Sequence, residues 1–95
     1  MRVDRIEEFE DWLENLRDQT ARAKIIVRLE RLAMGNPGDV RPCGRGLSEL
    51  RIDYGPGYRI YYWLRGEVAL VLRGGDKSSQ KRDLREAKKL MGVYR

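Results

Sequence analysis

Residues 50–63 read LRIDYGPGYRIYYW, and their pattern distinguishes a sheet from an all-helical fold. Apolar and polar side chains alternate on both sides of Gly55-Pro56-Gly57, which is typical of half-buried β-strands rather than of a helix. The triplet itself is a strong turn, because glycine accepts backbone angles that other residues avoid and proline fixes its own φ. The stretch therefore predicts a β-hairpin with a three-residue loop that pairs Tyr54 with Tyr58.

A third strand is expected to follow this hairpin. Leu64-Arg65-Gly66 fits a second three-residue loop, and the alternation resumes over residues 68–73. Gly74-Gly75 is expected to break that strand. Three antiparallel strands result, and residues 2–6 can add an N-terminal strand to the same sheet.

Helical periodicity appears on both sides of the strand region. Residues 6–16 and 21–35 carry apolar side chains at helical spacing, with Asp18 or Thr20 as the N-cap of the second helix and Gly35 as its stop. Ser78 or Ser79 can cap a last helix, whose inner stripe is Leu84, Ala87, Lys88 and Met91. We expect one α+β domain over residues 1–95, with the order β-α-α-β-β-β-α and an antiparallel sheet packed against a helical hairpin and a C-terminal helix.

The composition limits the possible functions. Twenty Lys and Arg against fifteen Asp and Glu give a net charge of +5, which favours nucleic acid, an acidic protein or anionic lipid as a partner. The chain has no His, and Cys43 is its one cysteine, so an intrachain disulfide, a zinc site and His-based catalysis are excluded. We expect no metal or cofactor, no membrane association and a cytoplasmic location, since no long apolar segment is present.

The predicted register divides the strand residues between two faces of the sheet. The apolar face packs on the helices, and its two rows are Leu50, Tyr62 and Val68, then Ile52, Ile60 and Leu70. The opposite face carries basic and aromatic residues in rows of Arg51, Tyr61 and Ala69, then Asp53, Arg59 and Val71, with Arg73 diagonal to Arg59. Arginines clustered at the centre of a sheet favour an anionic ligand.

Phosphate and unpaired bases would suit this face together. The arginines can bind phosphate oxygens in a forked geometry, while Tyr61 and Trp63 offer surfaces on which bases stack, so single-stranded RNA is a fitting ligand. Two structural alternatives stay open. In the first, Asp53 and Glu49 form cross-strand ion pairs with Arg59 and Arg51, so the arginines are not free for a ligand. In the second, Tyr61 and Trp63 are packing residues under the last helix.

Further cations lie outside the strands. Lys77 follows Gly74-Gly75-Asp76 where the last helix begins, so a phosphate could bind there, although a glycine turn capped by Asp76 explains the same residues. The second helix carries four cations, which either contact RNA phosphates or form a solvated face. These four residues are Arg22, Lys24, Arg28 and Arg31.

Several segments taken together resemble a known family. They are FEDWL at 9–13, ARAKI at 21–25 with Arg28 and Arg31, GNPGD at 35–39, LSELRI at 47–52, GPGYRIYY at 55–62 and LRGGDKSSQ at 72–80. In this order they are similar to the phage-derived addiction-module killer proteins, close to the HigB branch of the RelE/ParE toxin superfamily.

The resemblance implies a small α/β sheet fold and a toxin of a type II toxin-antitoxin system. It also implies a helix-turn-helix, HigA-like antitoxin as the neutralising partner. RelE-like and HigB-like members cut mRNA on the ribosome and thereby inhibit translation, whereas ParE-like members inhibit DNA gyrase without catalysis. The fold alone does not decide between these activities, but the arginines favour a metal-independent endoribonuclease, an mRNA interferase.

Individual roles follow from the resemblance and from the chemistry of RNA cleavage. Arg59 looks like the strand arginine that stabilises the scissile phosphate in RelE-like nucleases, and Arg73 looks like the second one. We assign charge stabilisation to these two residues and to Lys77. Proton transfer is assigned to Asp76 or Tyr61, and Arg51 is expected to orient the RNA backbone.

Overall fold

A computed structural model describes all 95 residues of the chain. The elements in chain order are β1 (Arg2–Arg5), α1 (Glu7–Glu14), α2 (Gln19–Ala33), β2 (Val40–Gly44), β3 (Leu47–Ile52), β4 (Tyr58–Arg65), β5 (Val68–Asp76), a 3₁₀ turn (Lys77–Ser79) and α3 (Gln80–Val93). Five strands form one sheet in the order β1-β5-β4-β3-β2. β1 runs parallel to β5, and all other neighbours are antiparallel. None of the helices combines the length and the apolar character that a membrane span needs.

The periodicity of the first two helices is confirmed by what they bury. Phe9 and Leu13 of α1 and Ile25 of α2 belong to a core cluster of 18 buried residues that includes the inner side chains of the central strands. Asp18, rather than Thr20, caps α2, because its carboxylate accepts a hydrogen bond of 3.1 Å from the backbone N–H of Ala21. α1 ends at Glu14, somewhat short of the predicted end at residue 16.

Helices cover both faces of the sheet, and two adjacent glycines of β5 make this possible. A Cβ atom at Gly74 would overlap the ring of Trp12 from α1, and one at Gly75 would overlap the carboxylate of Asp83 from α3. The prediction that Gly74-Gly75 breaks the strand is therefore wrong, since β5 continues through both residues to Asp76. These glycines serve close packing of a helix on each side of the strand.

The sequence analysis missed β2, which lies at one edge of the sheet. Its segment VRPCG lacks the alternation of a half-buried strand, and Pro42 argues against a central strand. At an edge, proline is tolerated because one side of the strand needs no hydrogen-bond donors. The order is thus β-α-α-β-β-β-β-α, with one strand more than predicted.

The register between β3 and β4 differs from the prediction by two residues. Ile52, not Tyr54, pairs with Tyr58, so the loop is five residues long. Tyr54 leaves the sheet because its hydroxyl donates a hydrogen bond of 3.0 Å to the carboxylate of Asp18. A shift of two preserves the face to which each side chain points, so Arg51, Arg59 and Tyr61 still share one face.

The β4–β5 hairpin also differs from the prediction. Its strands end at Arg65 and resume at Val68, which leaves a two-residue loop, and the register shifts by one residue after Tyr61. As a result, Ala69 and Val71 lie opposite Leu64 and Tyr62 rather than beside Tyr61 and Arg59. A bulge of this kind leaves no trace in the hydrophobic alternation of β4 itself.

Beyond the bulge the register differs from the prediction by four residues, since Gly75 rather than Val71 pairs with Arg59. Arg73 pairs with Tyr61 and is therefore still diagonal to Arg59, as expected. In α3 the inner stripe is displaced, because Asp83 and Ala87 are the buried residues whereas Lys88 is exposed.

Candidate functional site

Two arginines face each other across neighbouring strands at one end of the sheet. Arg51 of β3 is the direct cross-strand partner of Arg59 of β4. The prediction that Asp53 lies opposite Arg59 is wrong, because the register shift moves Asp53 beyond the end of β3. Like charges in directly opposed positions destabilise a sheet unless a counter-charge lies nearby.

The counter-charges within the chain satisfy this arginine pair only in part. Arg51 Nη2 lies 3.4 Å from Asp39 Oδ1, and Arg59 Nε lies 3.8 Å from Glu49 Oε1, which exceeds a hydrogen bond. The Nε atoms of both arginines are buried and have no hydrogen-bond partner. An unsatisfied buried donor costs about 1–3 kcal/mol, so an acceptor brought by a ligand would stabilise the pair.

A polar cavity of about 360 Å³ opens beside the two arginines, and none of its lining residues is hydrophobic. We call it the arginine pocket, and it is lined by Asp39, Arg51, Asp53, Gly55, Pro56, Gly57, Arg59 and Lys77. Gly57 has a φ of +82°, and a Cβ there would lie 3.6 Å from Lys77 Cβ and 3.7 Å from Arg59 Nη1. The turn thus brings the base of the Lys77 side chain and the Arg59 guanidinium to the same side of the pocket.

Arg73 does not line the arginine pocket. Its Nε donates a hydrogen bond of 2.7 Å to Asp83 Oδ1, and Asp83 is only 1% exposed. The Ser79 hydroxyl donates to the other oxygen of the same carboxylate. Arg73 therefore holds α3 against the sheet, and this ion pair is made possible by the absence of a side chain at Gly75.

Tyr61 is fully buried beneath α3, as the packing alternative anticipated. Its hydroxyl donates a hydrogen bond of 2.9 Å to Glu49 Oε2. Burial, together with the negative charge of Glu49, raises the pKa of Tyr61 far above its ordinary value. This placement opposes the predicted role of Tyr61 in proton transfer.

Glu49 is a buried carboxylate whose importance the sequence analysis missed. It accepts hydrogen bonds of 2.9 Å from Gln80 Nε2 and 3.4 Å from Arg41 Nε, in addition to the one from Tyr61. Burial by itself raises the pKa of Glu49, but these hydrogen bonds outweigh it and the pKa is lowered. A charged Glu49 therefore joins side chains of β2, β4 and α3 in one hydrogen-bond network next to the arginine pair.

Asp76 caps the 3₁₀ turn, as the structural alternative stated. Its Oδ1 accepts hydrogen bonds from the backbone N–H of Ser78, at 2.8 Å, and from the hydroxyl of the same residue. These bonds lower the pKa of Asp76. The cap fixes the backbone at Lys77, which is the residue that reaches the arginine pocket.

The four cations of α2 divide into two kinds. Arg28 donates to the backbone oxygens of Arg51, at 2.7 Å, and Pro37, at 3.0 Å, and burial lowers its pKa. Arg22 donates to the backbone oxygen of Leu16 at 3.1 Å. Both arginines therefore hold neighbouring backbone segments against α2, whereas Lys24 and Arg31 are exposed. RNA contacts by these four residues stay a prediction.

Trp63 lies at the opposite end of β4 from the arginine pocket. Its Nε1 donates a hydrogen bond of 3.1 Å to the backbone oxygen of Arg45, and the guanidinium of Arg65 lies 4.7 Å from its ring centroid. The ring lines a second cavity, between the β2–β3 turn and the end of α3. Sequence reasoning left open whether Trp63 stacks on bases or packs under the last helix, and the structure places its ring beside the end of that helix.

Comparisons with known proteins identify a family and a relative of this chain. Residues 11–92 match the model of the family described as "Phage derived protein Gp49-like". An uncharacterized protein of Haemophilus influenzae is 46% identical over 83 residues, which cover 86% of this chain and 84% of that relative. No solved structure matches the chain. The chain belongs to the Gp49-like family of phage-derived proteins, which is associated with RelE-like toxins.

Proposed function

We propose that this protein is the toxin of a type II toxin-antitoxin system and that it cuts single-stranded mRNA at the arginine pocket. One observation carries the proposal: Arg51 and Arg59 oppose each other with buried, unpartnered Nε atoms in a polar cavity that Lys77 also lines. A phosphate would supply both the negative charge and the acceptors that this arrangement lacks. The family association supports the biological role.

The proposed reaction needs no metal ion. The 2′-oxygen of one nucleotide attacks the adjacent phosphorus, the bond from phosphorus to the 5′-oxygen breaks, and the products are a 2′,3′-cyclic phosphate and a 5′-hydroxyl. The phosphorane between these states carries additional negative charge. Arg59, Arg51 and Lys77 would stabilise that charge, since all three line the pocket.

Proton transfer requires two further groups. Tyr61 is buried and Asp76 is a cap outside the pocket, so we reassign the base to Asp53, which is exposed and lines the pocket. Asp53 would accept the proton of the 2′-hydroxyl, and Lys77 would donate one to the leaving 5′-oxygen. Arg73 keeps α3 in place through Asp83 and is a positioning residue in this proposal.

The partners follow from charge. A net charge of +5 and exposed cations such as Lys24 and Arg31 would favour docking on ribosomal RNA, where mRNA codons are presented. A helix-turn-helix antitoxin with acidic side chains could silence the toxin by occupying the arginine pocket. Both partners are part of the proposal.

Primer extension on a defined mRNA in a translation extract tests this proposal. We expect the wild type and Arg2→Ala, a variant of an exposed arginine that pairs with Asp4 outside the pocket, to cut, and Arg59→Ala to leave the mRNA intact. Growth arrest in cells that express each variant should follow the same pattern. Intact mRNA with the wild-type protein, accompanied by growth arrest, would contradict the RNase and direct attention to gyrase.

A further inference from the structure

The second cavity has a volume of about 710 Å³ and lies between the β2–β3 turn and the C-terminal end of α3. We call it the C-terminal groove. Its walls combine the apolar side chains of Cys43, Trp63 and Met91 with the cations Arg45, Lys88 and Arg95. Its lining contains no Asp or Glu side chain, so the groove suits an anionic ligand that also carries an apolar or aromatic part.

The backbone of Arg45 is an independent indication of function. Arg45 has a φ of +56° and is the one non-glycine residue of the chain with a positive φ. It is followed by Gly46 with a φ of +86°, so both positions of this two-residue turn need the left-handed conformation. Asparagine or glycine fits the first position better than arginine. Backbone strain of this kind is found at positions where the side chain has a function.

The groove is connected to the arginine pocket along one edge of the sheet. Asp39, just before β2, lines the pocket, and Cys43 and Arg45 at the other end of β2 line the groove. Arg41 lies between them, forms an ion pair with Glu49 and is 48% exposed. Six residues of extended chain span about 20 Å, a distance that a few nucleotides of single-stranded RNA can bridge.

We propose that the C-terminal groove binds a nucleotide of the single-stranded RNA that continues from the arginine pocket. Its base would lie against Trp63 and Met91, and its phosphates would lie near Arg45, Lys88 and Arg95. This inference rests on the proposed function, since it assigns a second contact to the same RNA. An acidic peptide is the competing ligand, but Pro42 removes an N–H from the neighbouring edge strand and so opposes the addition of a peptide strand there.

Trp63 can report on binding. Trp12→Phe leaves Trp63 as the only tryptophan of the chain. We expect a single-stranded RNA hexanucleotide to quench its fluorescence in a saturable way, and a duplex of the same sequence to bind more weakly because its bases are already stacked. Anisotropy of a labelled hexanucleotide measures the same affinity with the unaltered protein.

Two comparisons of variants assign the binding to the groove. Arg45→Asn should leave the Tm unchanged or raise it, because asparagine fits the turn better, while the Kd for the hexanucleotide rises at least about fivefold. Lys88→Glu should weaken binding by a similar factor. Lys89→Glu is its matched control, since Lys89 has the same charge and helix but lies outside the groove and already pairs with Glu86 at 3.4 Å.

Three results would overturn the inference. The first is an Arg45→Asn variant that binds the hexanucleotide like the wild type, and the second is equal weakening of RNA binding by Lys88→Glu and Lys89→Glu. The third is quenching of Trp63 fluorescence by poly-glutamate but not by RNA, which would identify an acidic protein segment as the ligand. Failure of the proposed function looks different. In that case the wild type leaves the mRNA intact, or Arg59→Ala cuts it as the wild type does, whatever the groove variants do.

Discussion

At the scale of single residues, the opposed pair of Arg51 and Arg59 is the feature that most needs a ligand. Arg51→Gln removes one of the two like charges and keeps a polar side chain, although a shorter one. We expect its free energy of unfolding to stay within about 0.5 kcal/mol of the wild type, because lost repulsion offsets the lost contact with Asp39. RNA cutting should fall about 10²-fold. Urea unfolding and primer extension measure the two effects, and a large loss of stability would show that the pair is structural.

A second prediction concerns Glu49, whose pKa in the folded protein is lowered from an ordinary value of 4.5. Its charge therefore contributes stability that is complete above about pH 4.5 and is lost as the pH falls through the lower folded value. Glu49→Gln should unfold more easily at neutral pH by about 1–3 kcal/mol, because Arg41 and Arg59 lose their buried counter-charge. The free energy of unfolding of the variant should also decrease less than that of the wild type as the pH falls. Urea unfolding between pH 3 and pH 7 tests this, and parallel curves for the two proteins would contradict it.

Much of the site could be predicted residue by residue, and the limits have physical causes. Alternation in the strands placed Arg51, Arg59, Tyr61 and Arg73 on one face, because a register shift of two leaves the face unchanged. The same alternation could not tell which arginine is free. Arg73 is held by Asp83, a residue ten positions away on a helix whose orientation only the tertiary packing determines.

At the scale of elements, the fold depends on how closely α3 approaches β5. Gly75→Ala places a Cβ against the carboxylate of Asp83, so we expect a loss of about 1–3 kcal/mol of stability as α3 is displaced. Gly92→Ala in the same helix meets no atom within 4 Å and should stabilise the protein by about 0.5–1 kcal/mol, because alanine is the better helix former. Thermal unfolding of the two variants provides the comparison. Equal effects of the two substitutions would contradict the packing of α3 described above.

The elements show where sequence patterns are informative. Helical periods found α1 and α2 because each buries one regular stripe of apolar side chains. β2 was missed because an edge strand that contains Pro42 buries too few side chains to show an alternation of apolar and polar residues. The continuation of β5 through Gly74 was missed because a glycine within a strand looks like a turn in the sequence until its spatial neighbours are known. Trp12 and Asp83 are those neighbours, and each lies on a helix whose approach to β5 only the tertiary packing determines.

At the scale of the whole molecule, a net charge of +5 makes any binding of RNA sensitive to salt. If the pocket neutralises one RNA phosphate, the slope of log K against log salt concentration for a single strand is about −0.7 from the pocket alone. We expect the groove cations to make the slope steeper and Arg59→Ala to reduce it by about 0.7. Titrations of the hexanucleotide at several salt concentrations measure the slope. An unchanged slope in Arg59→Ala would place the RNA elsewhere on the surface.

The central claim is that the arginine pair receives a phosphate, and NMR of the arginine Nε–H groups tests it most directly. The protein, labelled with ¹⁵N, would be titrated with a nucleoside 3′-monophosphate and the Nε–H resonances assigned through single-arginine variants. The account predicts that the resonances of Arg51 and Arg59 shift and become protected from exchange, because their buried Nε atoms gain an acceptor. The resonance of Arg73, whose Nε is already bonded to Asp83, should stay in place. Unmoved resonances of Arg51 and Arg59 at saturating nucleotide, or equal shifts in all arginines, would contradict the claim.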